Sequence, residues 1–396
     1  MPGFELFGEE ERKEVNEVLE TGILMRYGFD AQRQNKWKSK ELEQAICDTF
    51  KVNHAQLVSS GTAALTTAMA ALGIGYGDEV IMPTFTFVAS FEAVLSVGAV
   101  PILVNINETL TLDPKAVEAA ITPKTKAIMP VHMCGAMADL DALKNICTQH
   151  NLLLLEDACQ ATGGSYKGQS LGTIGDAGTF SFDFVKTITT AEGGAVITNN
   201  KETYEKCDMF SDHGHDHLGG ADRGADLHPF LGYNFRISEL HAAVGLAQIR
   251  KLDQFLAIQK KNKKVLKDSL QATEKVTFRV LPDPEGDNAS FLSFFMENEE
   301  QAIKVSNEMK AQGIPAFHWY HNNWHYIRKW DHLKTANGLY RFSPEQTAAL
   351  EALQTRDFSQ SDAIMSRCIA TPIALSWSDE ETQRRANVIA EIVKNA

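Results

Sequence analysis

The stretch Leu152-Leu153-Leu154-Leu155-Glu156-Asp157-Ala158-Cys159-Gln160 decides the fold class. Four leucines in a row show no alternation. The strand they form is therefore buried on both faces, as in a parallel sheet covered by helices. In open α/β sheets ligands bind outside the carboxyl ends of the strands, so Asp157 is placed to meet one. Glu156 is the alternative acid, and a helix N-cap or a solvated loop carboxylate is the plainer use of either.

Similar runs lie on both sides. Val80-Ile81-Met82, Val100-Pro101-Ile102-Leu103-Val104, Ala127-Ile128-Met129-Pro130-Val131 and Ala195-Val196-Ile197-Thr198 read as strands, and helical periodicity fills most of the intervals from about residue 40 to 250. This alternation predicts an α/β fold with a mostly parallel sheet. Helices are predicted over 8–21, 238–251, 258–270 and 379–393. Val276–Val280 and Phe291–Phe295 read as strands of a different, α+β region. The expected division is a large domain over 1–255, with a helical N-terminal segment, and a smaller C-terminal domain over 256–396.

The chain has 396 residues, 44% of them hydrophobic and 22% charged, ordinary values for a globular protein. A net charge of -13 and a pI near 5.4 argue against nucleic acid or an anionic membrane surface as the main partner. No apolar run reaches the roughly 18 residues of a membrane span. The six cysteines form no CxxC pair and read as reduced thiols, so a cytoplasmic enzyme is expected.

Four further motifs carry chemistry. Gly178-Thr179-Phe180-Ser181-Phe182-Asp183-Phe184-Val185-Lys186 reads as an aromatic strand running to a lysine, with Ala191-Glu192-Gly193-Gly194 and a second strand behind it. A lysine desolvated between buried strands becomes a nucleophile toward aldehydes, whereas most lysines are surface charges. Ser59-Ser60-Gly61-Thr62-Ala63-Ala64-Leu65 opens an Ala-rich helix whose free N–H groups suit a phosphate; an ordinary capped helix is the plainer reading. Pro83-Thr84-Phe85-Thr86-Phe87-Val88-Ala89-Ser90 puts aromatic rings after a strand, where core packing is the usual role. Gly232-Tyr233-Asn234-Phe235-Arg236-Ile237-Ser238-Glu239 is an irregular lead into a helix.

In this order, the five motifs resemble the DegT/DnrJ/EryC1/StrS sugar aminotransferases over nearly the whole chain. Each motif alone is weak; the ordered set is specific. The resemblance implies the aspartate-aminotransferase-type fold (fold type I) and pyridoxal 5'-phosphate as cofactor. Lys186 then looks like the Schiff-base lysine and Asp157 like the partner of the pyridine nitrogen. Gln160 would lie near the ring hydroxyl and Phe87 on the ring face. Gly61, Thr62 and Ser181 would hold the phosphate, and Asn234 would reach it from the second subunit of a homodimer. Family members with histidine at the lysine position act as dehydratases, so Lys186 favours transamination. Ala191 stands where glycine is common.

Two segments depart from the usual pattern. They are Ser211-Asp212-His213-Gly214-His215-Asp216-His217 and His318-Trp319-Tyr320-His321-Asn322-Asn323-Trp324-His325-Tyr326. With Arg26-Tyr27-Gly28-Phe29-Asp30 they are similar to the 8-amino-3,8-dideoxy-manno-octulosonate aminotransferases. That group aminates the C8 aldehyde of an oxidised octulosonate, with glutamate as donor (hence 2-oxoglutarate as product), for lipopolysaccharide synthesis. The alternatives are a nucleotide-linked keto-sugar as substrate, or a non-catalytic regulator of the same fold. His213, His215, Arg236, Trp319 and His321 are the substrate candidates. Arg26, Arg33, Arg223 and Arg236 are unranked candidates for a carboxylate clamp. Histidines alternating on a strand share a face and suit a metal, but hydrogen bonding is preferred for His213, His215 and His217, and no metal is expected.

Overall fold

The computed structural model describes residues 2–219 and 223–396. Among the described residues the strands are β1 (His54–Val58), β2 (Glu79–Pro83), β3 (Val100–Val104), β4 (Thr125–Ile128), β5 (Leu153–Asp157), β6 (Ser165–Tyr166), β7 (Gln169–Ser170), β8 (Ala177–Ser181), β9 (Gly194–Thr198), β10 (Thr277–Phe278), β11 (Phe291–Phe295) and β12 (Cys368–Pro372). Seven of them form one sheet in the order β1-β9-β8-β5-β4-β2-β3. The run from β8 to β3 is parallel, while β9 is antiparallel to both neighbours. The carboxyl ends of β1, β2, β4, β5 and β8 therefore share one edge, where β9 begins.

Side chains alternate across the strands and build two cores. Val80, Met82, Leu103 and Leu155 face one cluster with the helices Gly61–Ala71 and Val88–Ser96. Ile81, Val104, Ile128 and Leu154 face the other, against the helices Lys38–Phe50, Leu140–His150 and Glu239–Arg250. A third core lies between the antiparallel sheet β10-β11-β12 and the helices Leu252–Gln271, Glu299–Ala311 and Asp379–Lys394. The expected division after residue 255 falls inside the single helix Leu252–Gln271. Trp319, Tyr326, Ile327 and Trp330 pack into the first cluster, on the large sheet.

One strand reading changes. The strand expected to run to Lys186 stops at Ser181. The Asp183 carboxylate accepts the Val185 N–H at 3.0 Å and its carbonyl accepts the Lys186 N–H at 3.0 Å, which closes a turn instead. Residues 213–217 are turn and loop, with His213 and His217 at positive φ, and the His215 and His217 rings lie near-parallel with centroids 6.0 Å apart. Among the described residues all six cysteines are free, no group of His, Cys, Asp or Glu is arranged to hold a metal, and no helix is long and apolar enough to cross a membrane.

Candidate active site

The shared sheet edge gathers most of the motifs. Asp157 ends β5 and is 3% exposed. Its Oδ2 accepts a hydrogen bond from Ser90 Oγ at 2.7 Å and its Oδ1 accepts the Cys159 N–H at 3.1 Å. Thr86 and Ser90 hydroxyls lie 2.7 Å apart, so the loop after β2 orients the carboxylate that ends β5. Glu156 faces away and is fully buried. It accepts the N–H groups of Gly172, Ile174 and Gly175 and lies 3.0 Å from His132 Nε2. Ala138 N–H donates to His132 Nδ1, so the histidine proton sits on Nε2 and points at Glu156. Of the two acids, Glu156 is spent on structure and Asp157 is the one at the edge.

The helix Gly61–Ala71 starts at the same edge, capped by Ser60, whose side chain accepts the Ala63 N–H. Among the described residues the Gly61 and Thr62 N–H groups have no partner. A Cβ at Gly61 would stand 2.8 Å from Ser181 Cβ and 3.2 Å from Cys159 Sγ, so only glycine fits and the three residues are neighbours. Burial and the nearby Asp157 carboxylate push the Cys159 thiol well up, leaving it protonated and inert. Gln160 Oε1 accepts the Cys134 N–H at 3.1 Å, which leaves its amide N–H groups for another partner.

Lys186 is half-buried in the loop between β8 and β9, and among the described residues its amine makes no ion pair or hydrogen bond. Phe184 and Val185 beside it are exposed. The loop is thus more open than a lysine sealed between strands. His325 is close enough to feel the Lys186 charge; burial first, then that charge, pushes its imidazole down to about 3. Its ring lies 5.2 Å from that of Phe87, and Trp324 stacks parallel to Phe87 at 5.7 Å. Main-chain bonds from Thr86 N–H to His325 O and from Val88 N–H to Trp324 O strap this segment over the Phe87 loop.

The substrate candidates scatter. Trp319 is core, stacked on Phe317 at 4.5 Å, and backs the His325 ring. His321 is exposed and pairs with Glu299 at 2.9 Å. His215 pairs with Asp226 at 3.1 Å, His217 stacks on Tyr27, and the His213 carbonyl meets His228. Arg236 and Arg223 both hold Asp212, which these bonds keep below the usual carboxylate range despite its burial. Arg26 pairs with Glu43 and Arg33 with Glu239. Asn234 is exposed beyond β1, where the neighbouring Phe235 carbonyl accepts the Ser59 N–H at 2.7 Å. Ser90, Trp324 and His325 carry no signal in the sequence itself: a serine after a strand and a ring in an aromatic run mean little until the sheet edge brings them to Asp157 and Phe87.

Orphaned N–H groups at a helix start, a slot with room only for glycine, an unpaired amine and an oriented carboxylate fit a phosphorylated pyridine aldehyde. With this sheet topology, that describes a fold type I pyridoxal-phosphate enzyme. The sequence profile of the DegT/DnrJ/EryC1/StrS aminotransferase family matches residues 6–392, and the chain belongs to that family. It is a pyridoxal-phosphate-dependent sugar aminotransferase. GDP-perosamine synthase of Caulobacter vibrioides is 36% identical over 294 residues, 71% of this chain and 76% of that protein. The solved 3-amino-5-hydroxybenzoic acid synthase is 31% identical, with a TM-score of 0.83 over 98% of this chain and 97% of its own. NtdA of Bacillus subtilis, solved with bound PMP, is 25% identical, with a TM-score of 0.80 over 99% of this chain and 84% of its own. The likeness found is thus to a GDP-perosamine synthase, where the histidine-rich and tryptophan-rich segments suggested an octulosonate aminotransferase.

Proposed function

We propose that the protein transfers the amino group of glutamate to the C8 aldehyde of 3,8-dideoxy-8-oxo-manno-octulosonate. The observation that carries this choice is charge. Arg223 and Arg236 share one carboxylate, Asp212, and the trio keeps one net positive charge, suited to a single substrate carboxylate. A nucleotide diphosphate brings two negative charges, while Arg26 and Arg33 are already paired. The second reading is amination of a nucleotide-linked keto-sugar, favoured by the 36% identity to a GDP-perosamine synthase.

Bound at this edge, pyridoxal phosphate would supply a sink for the electron pair left when the Cα proton departs. In this reading Lys186 would bind the cofactor aldehyde and would move the proton between the two carbons as base and acid. Asp157, oriented by Ser90, would pair with the pyridine nitrogen. Gly61, Thr62 and Ser181 would hold the phosphate, Gln160 would serve the ring hydroxyl, and Phe87 would pack on the ring. Trp324 and His325 cover Phe87 and exclude water from it. Asn234 completes a partner subunit's site, and the exposed Leu227, Phe230, Leu231 and Tyr233 beside it supply the apolar surface of a homodimer. The test is to offer purified protein and glutamate either the 8-oxo octulosonate or a 4-keto nucleotide sugar and to weigh the products. An amine on the octulosonate is expected; turnover of only the nucleotide sugar contradicts the proposal.

A further inference from the structure

The first turn of the chain reaches the lysine loop. Gly3 N–H donates to the Lys186 carbonyl at 3.0 Å. The Phe4 ring lies on Phe184, two residues before the lysine, at 4.3 Å and 5°. The other side of this turn is anchored. Gln248 Nε2 donates to the Gly3 carbonyl at 3.3 Å, and Lys251 Nζ donates to the Leu6 carbonyl at 3.2 Å. Glu11 grips both anchors, accepting from Gln248 at 2.6 Å and from Lys251 at 2.8 Å. Glu5 Oε2 accepts the Ser376 N–H at 2.8 Å, just beyond β12.

Gly3 is buried, and a Cβ there would stand 2.0 Å from Gln248 Oε1 and 2.6 Å from the Thr187 carbonyl. The approach to the lysine peptide therefore requires glycine. The Asp183 turn holds Lys186 by its N–H, and the strap holds it by its carbonyl, so both peptides around the lysine are fixed. Phe4 and Phe184 are both partly exposed, at 37% and 51%, so their stack covers little core. What it does is set the loop.

We infer that Gly3 and Phe4 are positioning residues for Lys186: the first turn of the chain is a strap that aims the lysine at the sheet edge and ties its loop to the region after β12. This rests on the reading of Lys186 as the cofactor-binding lysine. An amine held in one direction meets an aldehyde faster than one on a free loop, and small displacements of reacting groups are costly.

The experiment uses full-length protein stripped of cofactor and then mixed with pyridoxal phosphate. Two things are read: the rate at which the visible absorption of the lysine–cofactor link appears, and the pH at which that absorption titrates. Phe4→Ala should slow its appearance by roughly threefold or more and move the titration, while Phe4→Tyr restores both. Melting of the cofactor-free protein should stay nearly unchanged in Phe4→Ala, since the ring is exposed. Gly3→Ala is the second variant, aimed at the main-chain bond, and should show the same two effects. Wild-type rate and titration in both Phe4→Ala and Gly3→Ala overturn the proposal. Survival of the absorption in Lys186→Ala overturns instead the reading on which it rests.

Discussion

In the proposed mechanism Asp157 would carry the electronic part of the chemistry; its Oδ2 accepts the Ser90 hydroxyl. A carboxamide keeps the shape and loses the charge that would hold a proton on the ring nitrogen. Asp157→Asn should therefore still bind cofactor while turnover falls by about 10³-fold, the scale of losing one charge-stabilising group. Ser90→Ala should cost less, about tenfold, because it loosens the carboxylate without removing it. Cofactor titration and steady-state rates check both. His325 adds a pH effect. Its folded value, about 3, lies below the ordinary 6.5, so the unfolded chain binds more protons between the two. Its contribution to stability is complete above pH 6.5 and is lost as pH falls toward 3. Denaturant titrations of His325→Gln should thus show a shallower loss of stability over that window, by up to about 1.4 kcal/mol per pH unit.

The elements explain what could be read in advance. Runs such as Val100–Val104 and Phe291–Phe295 are apolar enough to announce themselves, and both are strands with those bounds. β1, His54-Ala55-Gln56-Leu57-Val58, shows no continuous apolar run because a glutamine interrupts it; that glutamine is buried, its Nε2 donating to Ser211 Oγ at 3.0 Å. The aromatic run toward Lys186 reads as strand, but Asp183 turns it, a side-chain effect that periodicity does not register. The start of the helix Gly61–Ala71 was readable from Ser59-Ser60-Gly61. Its use depends on β1 lying two places from β8, which only the sheet order reveals. Filling the Gly61 slot tests this element directly. Gly61→Val should weaken cofactor affinity by roughly tenfold or more with the circular dichroism of the fold retained; unchanged affinity would remove the phosphate from this helix.

At the scale of the whole molecule, the segment after Phe317 returns to the large sheet, where Tyr326 bridges Phe85, so residues 317–330 bring Trp324 and His325 onto Phe87, far from them in sequence. No local pattern in the sequence forecasts that return. The cation set was likewise unreadable, because pairing of Arg26, Arg33, Arg223 and Arg236 depends on carboxylates distant in sequence. The proposed dimer makes a sharp prediction. If Asn234 serves the partner's site, inactive Lys186→Ala and Asn234→Ala subunits should complement on mixing. Half the reassorted dimers then hold one intact site, and activity returns to about a quarter of wild type. Absence of recovery, with mixed dimers demonstrated by mass, would place Asn234 in its own subunit's site or in none.

The most direct measurement is to reduce the pyridoxal-phosphate-loaded protein with borohydride, digest it, and locate the phosphopyridoxyl group by mass spectrometry. The group is expected on Lys186. Its recovery on any other lysine would contradict the site described at the sheet edge.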